Sequence, residues 1–349
     1  MKKALLYSIF ALGIASTTLT SCEDIFGGFL DKQPSNELTG EQVFSDWNLT
    51  VQFHLDTYNF LRHGAGRIST TWLDAATDLA ETSYGNGVRT SFNIGNFYGG
   101  SGASELVDTW EHYYRGIRKC NMLLTRIEEV PQNPAVSEDK YNRDKKNYIA
   151  EARFLRAYFY WELFLRYGPI PIVKEVLDPN GDLMSKYTTR PTTKEYVVDF
   201  ILEELKSCEG NLLDYETAWK SSSAGRIGQP MACALRSRIM LFMASPRYSS
   251  ESGITWQQAA DVAKEFIDTY GANFALFNAK DATGATLGIE NYTNALLRTA
   301  YQGSNKEVIF YRNDDKQNWG NIKNDTPVGE GGNGGLWPSQ NLGDMYDMA

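Results

Sequence analysis

The sequence predicts a mainly α-helical protein of stacked, TPR-like helical hairpins with long irregular loops. One segment, residues 149–173, is apolar on nearly every side, and other stretches place apolar residues every three or four positions. A helix that is apolar all round has to be buried among other elements. Helices separated by short breaks are typical of hairpins that cover each other's apolar faces. A non-repeating α bundle fits the same pattern.

The helices follow one another along most of the chain. The first is predicted at 41–61, with Thr39 placed to cap it, and the buried helix ends at Gly168, Pro169 and Pro171 because proline cannot donate the next hydrogen bond. The turn Gly225–Pro230 leads into a later helix. The remaining helices are predicted at 106–130, 194–213, 231–245 and 256–270.

Two regions lack helical periodicity. Residues 62–104 are rich in Gly, Ser, Thr and Asn with scattered aromatics, which predicts a long loop insertion of the kind that usually carries function. After residue 272 the helical signal fades: 307–311 is expected to be a short strand, and 314–337 a loop. Ser339 is placed to cap a last helix. Because the chain stops on that helix, we expect residues 273–349 to be the start of a truncated ligand-binding region.

The N-terminal residues have the pattern of a lipoprotein export signal. Lys2 and Lys3 precede a short apolar core, and small residues lead to Cys22. Cleavage after residue 21 would leave Cys22 for lipid attachment, with residues 22–40 as a tether and 41–272 as the helical scaffold. Glu23 and Asp24 are similar to a surface-export signal and favour the outer face of an outer membrane. An ordinary secretory signal is the alternative.

Charge and cysteine content exclude some functions. The net charge is −9, and it becomes more negative without the signal peptide, which argues against binding to nucleic acid. The three cysteines other than Cys22 lie in apolar helical patterns, so buried free thiols are expected, although one disulfide is possible. They are Cys120, Cys208 and Cys233.

No catalytic or metal-binding pattern stands out. The histidines His54, His63 and His112 do not have the spacing of metal ligands and are expected in the core or on the surface. Asp314 and Asp315 lack the spaced oxygen ligands of a calcium loop. We therefore predict that the protein is not an enzyme and needs no cofactor or metal. Sugar binding needs less: flat aromatic rings for the sugar's C–H faces, and polar side chains for its hydroxyls.

Several short segments, taken in their order along the chain, resemble those of the SusD/RagB family of outer-membrane nutrient-binding lipoproteins. Cys22 ends a lipobox and is followed by Phe29-Leu30-Asp31. The segments Glu151–Tyr158 and Tyr167–Pro171 match the family's strongest signature. Further matches are Trp110…Tyr113…Ile117…Asn121-Met122-Leu123-Leu124, Arg190-Pro191-Thr192, Gly225-Arg226-Ile227, Lys306–Phe310 and Pro338–Leu342.

This resemblance implies a lid over a SusC-like TonB-dependent transporter that captures oligosaccharides and delivers them to the pore, with no catalysis. The alternatives are a structural lid that binds no sugar and a variant that binds peptides. The aromatic residues are expected to stack on sugar rings, unless they only pin their own loops to the scaffold, and Asn321 is expected to contact hydroxyls. The candidate ligand-binding residues are Trp319, Asn321, Tyr98 and Tyr84, followed by Trp72 and Trp337.

Overall fold

The computed structural model describes the chain from residue 39 to residue 346 with gaps. The described residues are 39–62, 73–82, 94–95, 98, 104–178, 180–220, 223, 225–278, 280, 283–285, 288, 305–312, 323 and 326–346. The chain separates into two units, residues 1–43 and residues 44–349. In the first unit, Thr39 and Gln42 bond reciprocally, Thr39 N to Gln42 Oε1 at 2.8 Å and Gln42 N to Thr39 Oγ1 at 3.3 Å. This is the cap that the sequence predicts.

The described residues form a mainly helical protein, as predicted. Helix α1 spans Gly40–Phe44 and α2 spans Trp47–Asp56, which a 3₁₀ turn, Thr57–Phe60, extends. Longer helices follow: α3 at Ser104–Arg126 and α4 at Glu138–Tyr167, then α5 at Leu183–Lys186. Residues 194–202 form a π-helix that continues as α6, Glu203–Glu209. The remaining helices are α7 at Tyr215–Ala218, α8 at Gln229–Met243, α9 at Ser249–Ser252, α10 at Trp256–Tyr270 and α11 at Gln340–Asp344.

The core lies around α4. This helix packs along α3 and also contacts the helix at 194–209, which in turn contacts α8, and α8 packs along α10. Phe154, Phe159 and Tyr160 are fully buried. The prediction of a helix surrounded by other elements is confirmed, with one correction: Leu165, which lies in the segment 149–173 that is predicted to be buried, is 40% exposed. Helix α4 begins at Glu138 because Ser137 caps it, and it ends at Gly168, which has φ of 66°.

The segment after α4 is tied back to the helix by buried polar groups. The Tyr160 hydroxyl donates to the Val173 carbonyl at 3.0 Å and accepts from the Val173 N–H at 2.7 Å. Asn121 on α3 donates to the carbonyls of Val173 and Glu175, each at 3.0 Å. Since buried backbone groups have to be paired, these side chains allow the segment after Gly168 to run along the edge of the core without secondary structure.

Two sequence expectations are wrong. The helix predicted at 41–61 is broken at Ser45–Asp46, where the Asp46 carboxylate caps α2 by accepting from Leu49 N at 2.9 Å. The predicted strand at 307–311 is irregular, since its residues pair with no strand in the described chain and begin with a turn at Asn305. The cap at Ser339 is confirmed, as are three buried, free cysteines. No helix among the described residues is long and apolar enough to span a membrane.

Candidate functional site

A short antiparallel pairing joins the two regions that the sequence predicts as loops. Strand β1, Ala80–Thr82, lies in the first loop region, and β2, Leu336–Pro338, lies in the second. The register pairs Ala80 with Pro338, Glu81 with Trp337 and Thr82 with Leu336. Ser339 extends the contact by donating its N–H to the Leu79 carbonyl at 2.9 Å and its hydroxyl to the Asp78 carbonyl. Segments more than 250 residues apart in sequence are thereby held side by side.

Trp337 is presented to solvent by this pairing. Its side chain is 53% exposed, and its ring packs against Gly334, where a Cβ atom would lie 3.2 Å from the indole Cζ2. Gly334 has φ of 62°, which favours glycine. The backbone of Trp337 is held by the strand pairing, and about half of the residue's surface remains accessible to a ligand. The role of Trp337 in ring stacking stays a prediction.

Only one other candidate ligand-binding residue lies in the described part of the chain. Tyr98 is 60% exposed, as a residue that meets a ligand has to be. Nothing in the described residues brings it into contact with Trp337. The other candidates and the lipidation site lie outside the described residues: Trp72, Tyr84, Trp319, Asn321 and Cys22.

A second attachment holds the roots of the two loop regions together. The 3₁₀ turn Thr57–Phe60 ends just before the first loop region, and carbonyls at a helix end lack partners inside the helix. Arg312, which lies just before the second loop region, donates from Nη1 to the Leu61 carbonyl and from Nη2 to the Asn59 carbonyl at 3.4 Å. A guanidinium can bridge two acceptors because its donors form a fixed fork.

His112 binds the Phe60 carbonyl, which lies between the Asn59 and Leu61 carbonyls that Arg312 binds. Its Nε2 lies 3.1 Å from the Phe60 carbonyl oxygen, so Nε2 carries the proton and donates. Burial lowers the pKa of His112, the bond to Phe60 opposes this shift, and Arg312 lowers the pKa further. A neutral imidazole is therefore the form that holds this carbonyl. We call the contacts of Arg312 and His112 with residues 59–61 the carbonyl clasp.

The same short stretch of chain is fixed from the core by Glu151. This carboxylate on α4 is fully buried and accepts from Tyr58 Oη at 2.8 Å, from Arg226 Nε at 3.0 Å and also from Arg226 Nη2. His54 Nε2 lies 2.8 Å from Glu151 Oε2. Burial alone would raise the pKa of Glu151, but Arg226 and His54 lower it below its usual value. We call these four side chains the Glu151 node.

One further cluster of acidic and thiol groups has a structural explanation. Ligand atoms of Glu209, Cys233 and Glu265 lie within 4.8 Å of one another. Arg236, however, donates Nη1 to Glu209 and Nη2 to Glu265, both at 2.5 Å; Arg236 and Glu209 are buried, and the Glu265 side chain is 35% exposed. The positive charge between the carboxylates is already supplied by the protein. This arrangement is a partly buried ion-pair network that joins α6, α8 and α10.

The sequence contained a signal for part of this architecture. Charged residues within an otherwise apolar, buried helix have to be paired, so Glu151 and Glu162 on α4 indicate partners of opposite charge or hydrogen-bond donors. The partners are His54 and Arg226 for Glu151, and Arg166 for Glu162. His54, expected in the core or on the surface, lies in the core. The carbonyl clasp had no such signal, because Arg312 reaches backbone atoms some 250 residues away.

Comparisons with known proteins agree with this fold. A SusD-like family model described as "Starch-binding associating with outer membrane" matches residues 28–241. A SusD-like protein from Bacteroides fragilis is 25% identical, with a TM-score of 0.67 over 91% of this chain and 56% of that chain. A SusD-like carbohydrate-binding protein, also from Bacteroides fragilis, is 20% identical, with a TM-score of 0.64 over 86% of this chain and 53% of that one.

A laminarin-binding SusD-like protein is 19% identical, with a TM-score of 0.52 over 74% of this chain and 50% of that chain. The chain spans about half the length of the solved structures that it matches. No curated protein sequence matches it. The family model covers more than half of the chain. The core helix α4 and the Gly225–Pro230 turn lie within the residues that it matches. The chain belongs to the SusD-like family of the outer membrane.

Proposed function

We propose that the protein is a cell-surface lipoprotein that captures oligosaccharides and delivers them to a SusC-like TonB-dependent transporter. Lipid on Cys22 would anchor it to the outer membrane on the exterior side. It would act by binding alone and carry out no reaction. The observation that carries the proposal is the half-exposed Trp337, on a strand that ties the two loop regions together, in a chain of the SusD-like family.

The chemistry of this surface suits a neutral sugar. The C–H faces of a pyranose ring stack on the electron-rich face of an aromatic ring, and an indole offers the largest such face among the side chains. Glu81 lies opposite Trp337 in the strand pairing and can accept hydrogen bonds from sugar hydroxyls. The remaining candidates, Tyr98, Tyr84, Trp72, Trp319 and Asn321, supply further rings and one amide to the same two loop regions.

The test is affinity electrophoresis of the lipid-free chain, beginning at Glu23, through gels that contain plant, host or microbial polysaccharides. Retardation by at least one polysaccharide is expected. Trp337→Ala should weaken the affinity about 10-fold, equivalent to roughly 1.4 kcal/mol, because a central aromatic anchor is lost.

Trp256→Ala is the matched control. Trp256 is 56% exposed but lies on α10 in the helical scaffold, so its loss should leave retardation unchanged. Equal weakening by both variants would contradict the assignment of Trp337. A folded protein that binds none of the polysaccharides but binds the transporter would point to the structural lid, and binding of peptides instead would point to the peptide-binding variant.

A further inference from the structure

A niche away from the strand pairing has the features of a second binding site. It lies between α7, the Gly225–Pro230 turn and residues 309–311, and its empty volume is about 300 Å³ including the open mouth. Its enclosed part has room for about one water molecule. The niche is thus too small to enclose a whole ligand, but it can admit a single hydroxyl-sized group from a ligand that lies across the mouth.

Three aromatic side chains that line the niche lie next to one another in a row. The ring centroids of Tyr215 and Trp219 are 6.0 Å apart, and those of Trp219 and Tyr311 are 5.4 Å apart, at interplanar angles of 49° and 42°. All three side chains are partly exposed. Partly exposed indole and phenol rings that line a niche suit a ring-shaped ligand with C–H groups on its face.

The hydroxyl group of Tyr311, one of the residues that line the niche, lacks a hydrogen-bond partner among the described residues. The Tyr311 hydroxyl oxygen is buried and makes no hydrogen bond within the described part of the chain. Burial raises the pKa of Tyr311; the nearby Gly225 N–H lowers it in part without completing a hydrogen bond. The hydroxyl is therefore neutral and able to donate. An unpaired buried hydroxyl is unfavourable, and a ligand hydroxyl in that space would relieve this cost.

The charge of the niche favours a neutral ligand over an anion. Arg226 lines it, but both hydrogen bonds from its Nε and Nη2 go to the Glu151 carboxylate, which neutralises the guanidinium. A carboxylate or phosphate ligand would meet Glu151 close behind Arg226 and would gain little. A hydroxylated ring without charge meets no such opposition.

We propose that this niche is an accessory saccharide subsite, in which one pyranose ring lies on Trp219 and one of its hydroxyls enters to pair with the Tyr311 hydroxyl. The inference rests on the proposed glycan-binding function and adds to it a site on the helical scaffold, apart from Trp337. No bond is made or broken, and any water in the enclosed space would be displaced by the ligand hydroxyl.

The test uses the lipid-free chain labelled with 5-fluorotryptophan and titrated with methyl pyranosides of glucose, galactose and mannose. The ¹⁹F resonance of Trp219, assigned from Trp219→Phe, should shift saturably with at least one of them. Tyr311→Phe should weaken that binding by about 2- to 10-fold, the value of one neutral hydrogen bond. Because it removes an unpaired buried hydroxyl, the variant should fold as well as the parent protein.

Tyr187→Phe is the control, since its hydroxyl bonds to Glu175 on the surface and lines no part of the niche. A Trp219 shift that is equally strong in Tyr311→Phe would overturn the proposed hydroxyl contact. A shift of Trp337 without any shift of Trp219 would overturn the niche while leaving the glycan-binding function standing. Retardation in the polysaccharide gels decides that function independently of the niche.

Discussion

Replacing Glu151 with glutamine should destabilise the protein strongly. Glu151 accepts from Tyr58 and twice from Arg226 while His54 lies within hydrogen-bonding distance, and it is fully buried. Glutamine has one acceptor oxygen in place of two, so one side of the node loses its acceptor and the Arg226 cation loses its counter-charge. Breaking a buried ion pair by removing one partner costs about 3–5 kcal/mol, a large share of the roughly 5–15 kcal/mol that holds a domain folded.

A double-mutant cycle separates this ion pair from general damage. Arg226→Met alone should cost a similar amount, because it leaves the Glu151 carboxylate buried without its strongest partner. The variant that combines Glu151→Gln with Arg226→Met carries no uncompensated charge, so its loss should be smaller than the sum of the single losses by about 2 kcal/mol or more. Urea denaturation followed by tryptophan fluorescence gives each free energy of unfolding.

The control is Glu111→Gln, which makes the same substitution in an exposed ion pair with Arg115. It should cost less than about 0.5 kcal/mol. Additive single losses, or a loss at Glu151 no larger than at Glu111, would refute the reasoning that the node is a coupled buried network.

The effect of Glu151→Gln should also depend on pH. The pKa of Glu151 is lowered from its ordinary value of 4.5, despite burial, by Arg226 and His54. A carboxylate with a depressed folded-state pKa contributes stability above its unfolded pKa and loses it as the pH falls through the folded value. The difference in unfolding free energy between the parent protein and the variant should therefore be largest near neutral pH and shrink below pH 4.5. A difference that stays constant down that range would contradict the charge-based explanation.

Two further predictions concern the carbonyl clasp and the core. Arg312→Met should weaken glycan binding several-fold in the polysaccharide gels while lowering the unfolding free energy by only about 1–3 kcal/mol. Arg312→Lys should restore little of the binding, because an ammonium lacks the fork of donors that bridges two carbonyls. Full binding by Arg312→Met would mean that the clasp does not position the loops. Gly116→Ala should destabilise by about 1–3 kcal/mol in urea titrations, since its Cβ would lie 2.7 Å from the Phe159 ring, whereas Gly210→Ala, with nothing within 4 Å of its Cβ, should be neutral or mildly stabilising.

The elements that could be predicted from sequence are those whose signals are local. The helix at 256–270 was placed correctly because its apolar period coincides with its cap: Thr255 and Gln258 form a reciprocal capping box. The break at Ser45–Asp46 has no such signal, because apolar residues continue across it with helical spacing, although the Asp46 side chain caps a new helix there. Local periodicity outweighs a single cap when a sequence is read alone.

The sheet was missed for the opposite reason. A run such as 307–311 has strand-forming residues, yet strand formation depends on a partner, and none in the described chain lies beside it. Strands β1 and β2 have only three residues each and pair across more than 250 positions, so neither has a recognisable alternating pattern. Trp337 is a candidate residue on its residue type and its place in a glycine-rich loop, but the strand that presents it has no local signal.

The buried node and the carbonyl clasp act on one continuous stretch of chain, residues 54–61. Glu151 meets His54 and Tyr58 from the core, and Arg312 binds the carbonyls of Asn59 and Leu61 immediately afterwards. Because a rigid core resists continuous deformation, the point at which the chain leaves for the first loop region is set by α4 rather than by the loop itself. Arg312 then fixes the start of the second loop region to that same point. The helical core therefore fixes the orientation of the proposed sugar-binding surface. Substitutions of loop residues can change the ligand chemistry without moving the ends of the loop regions.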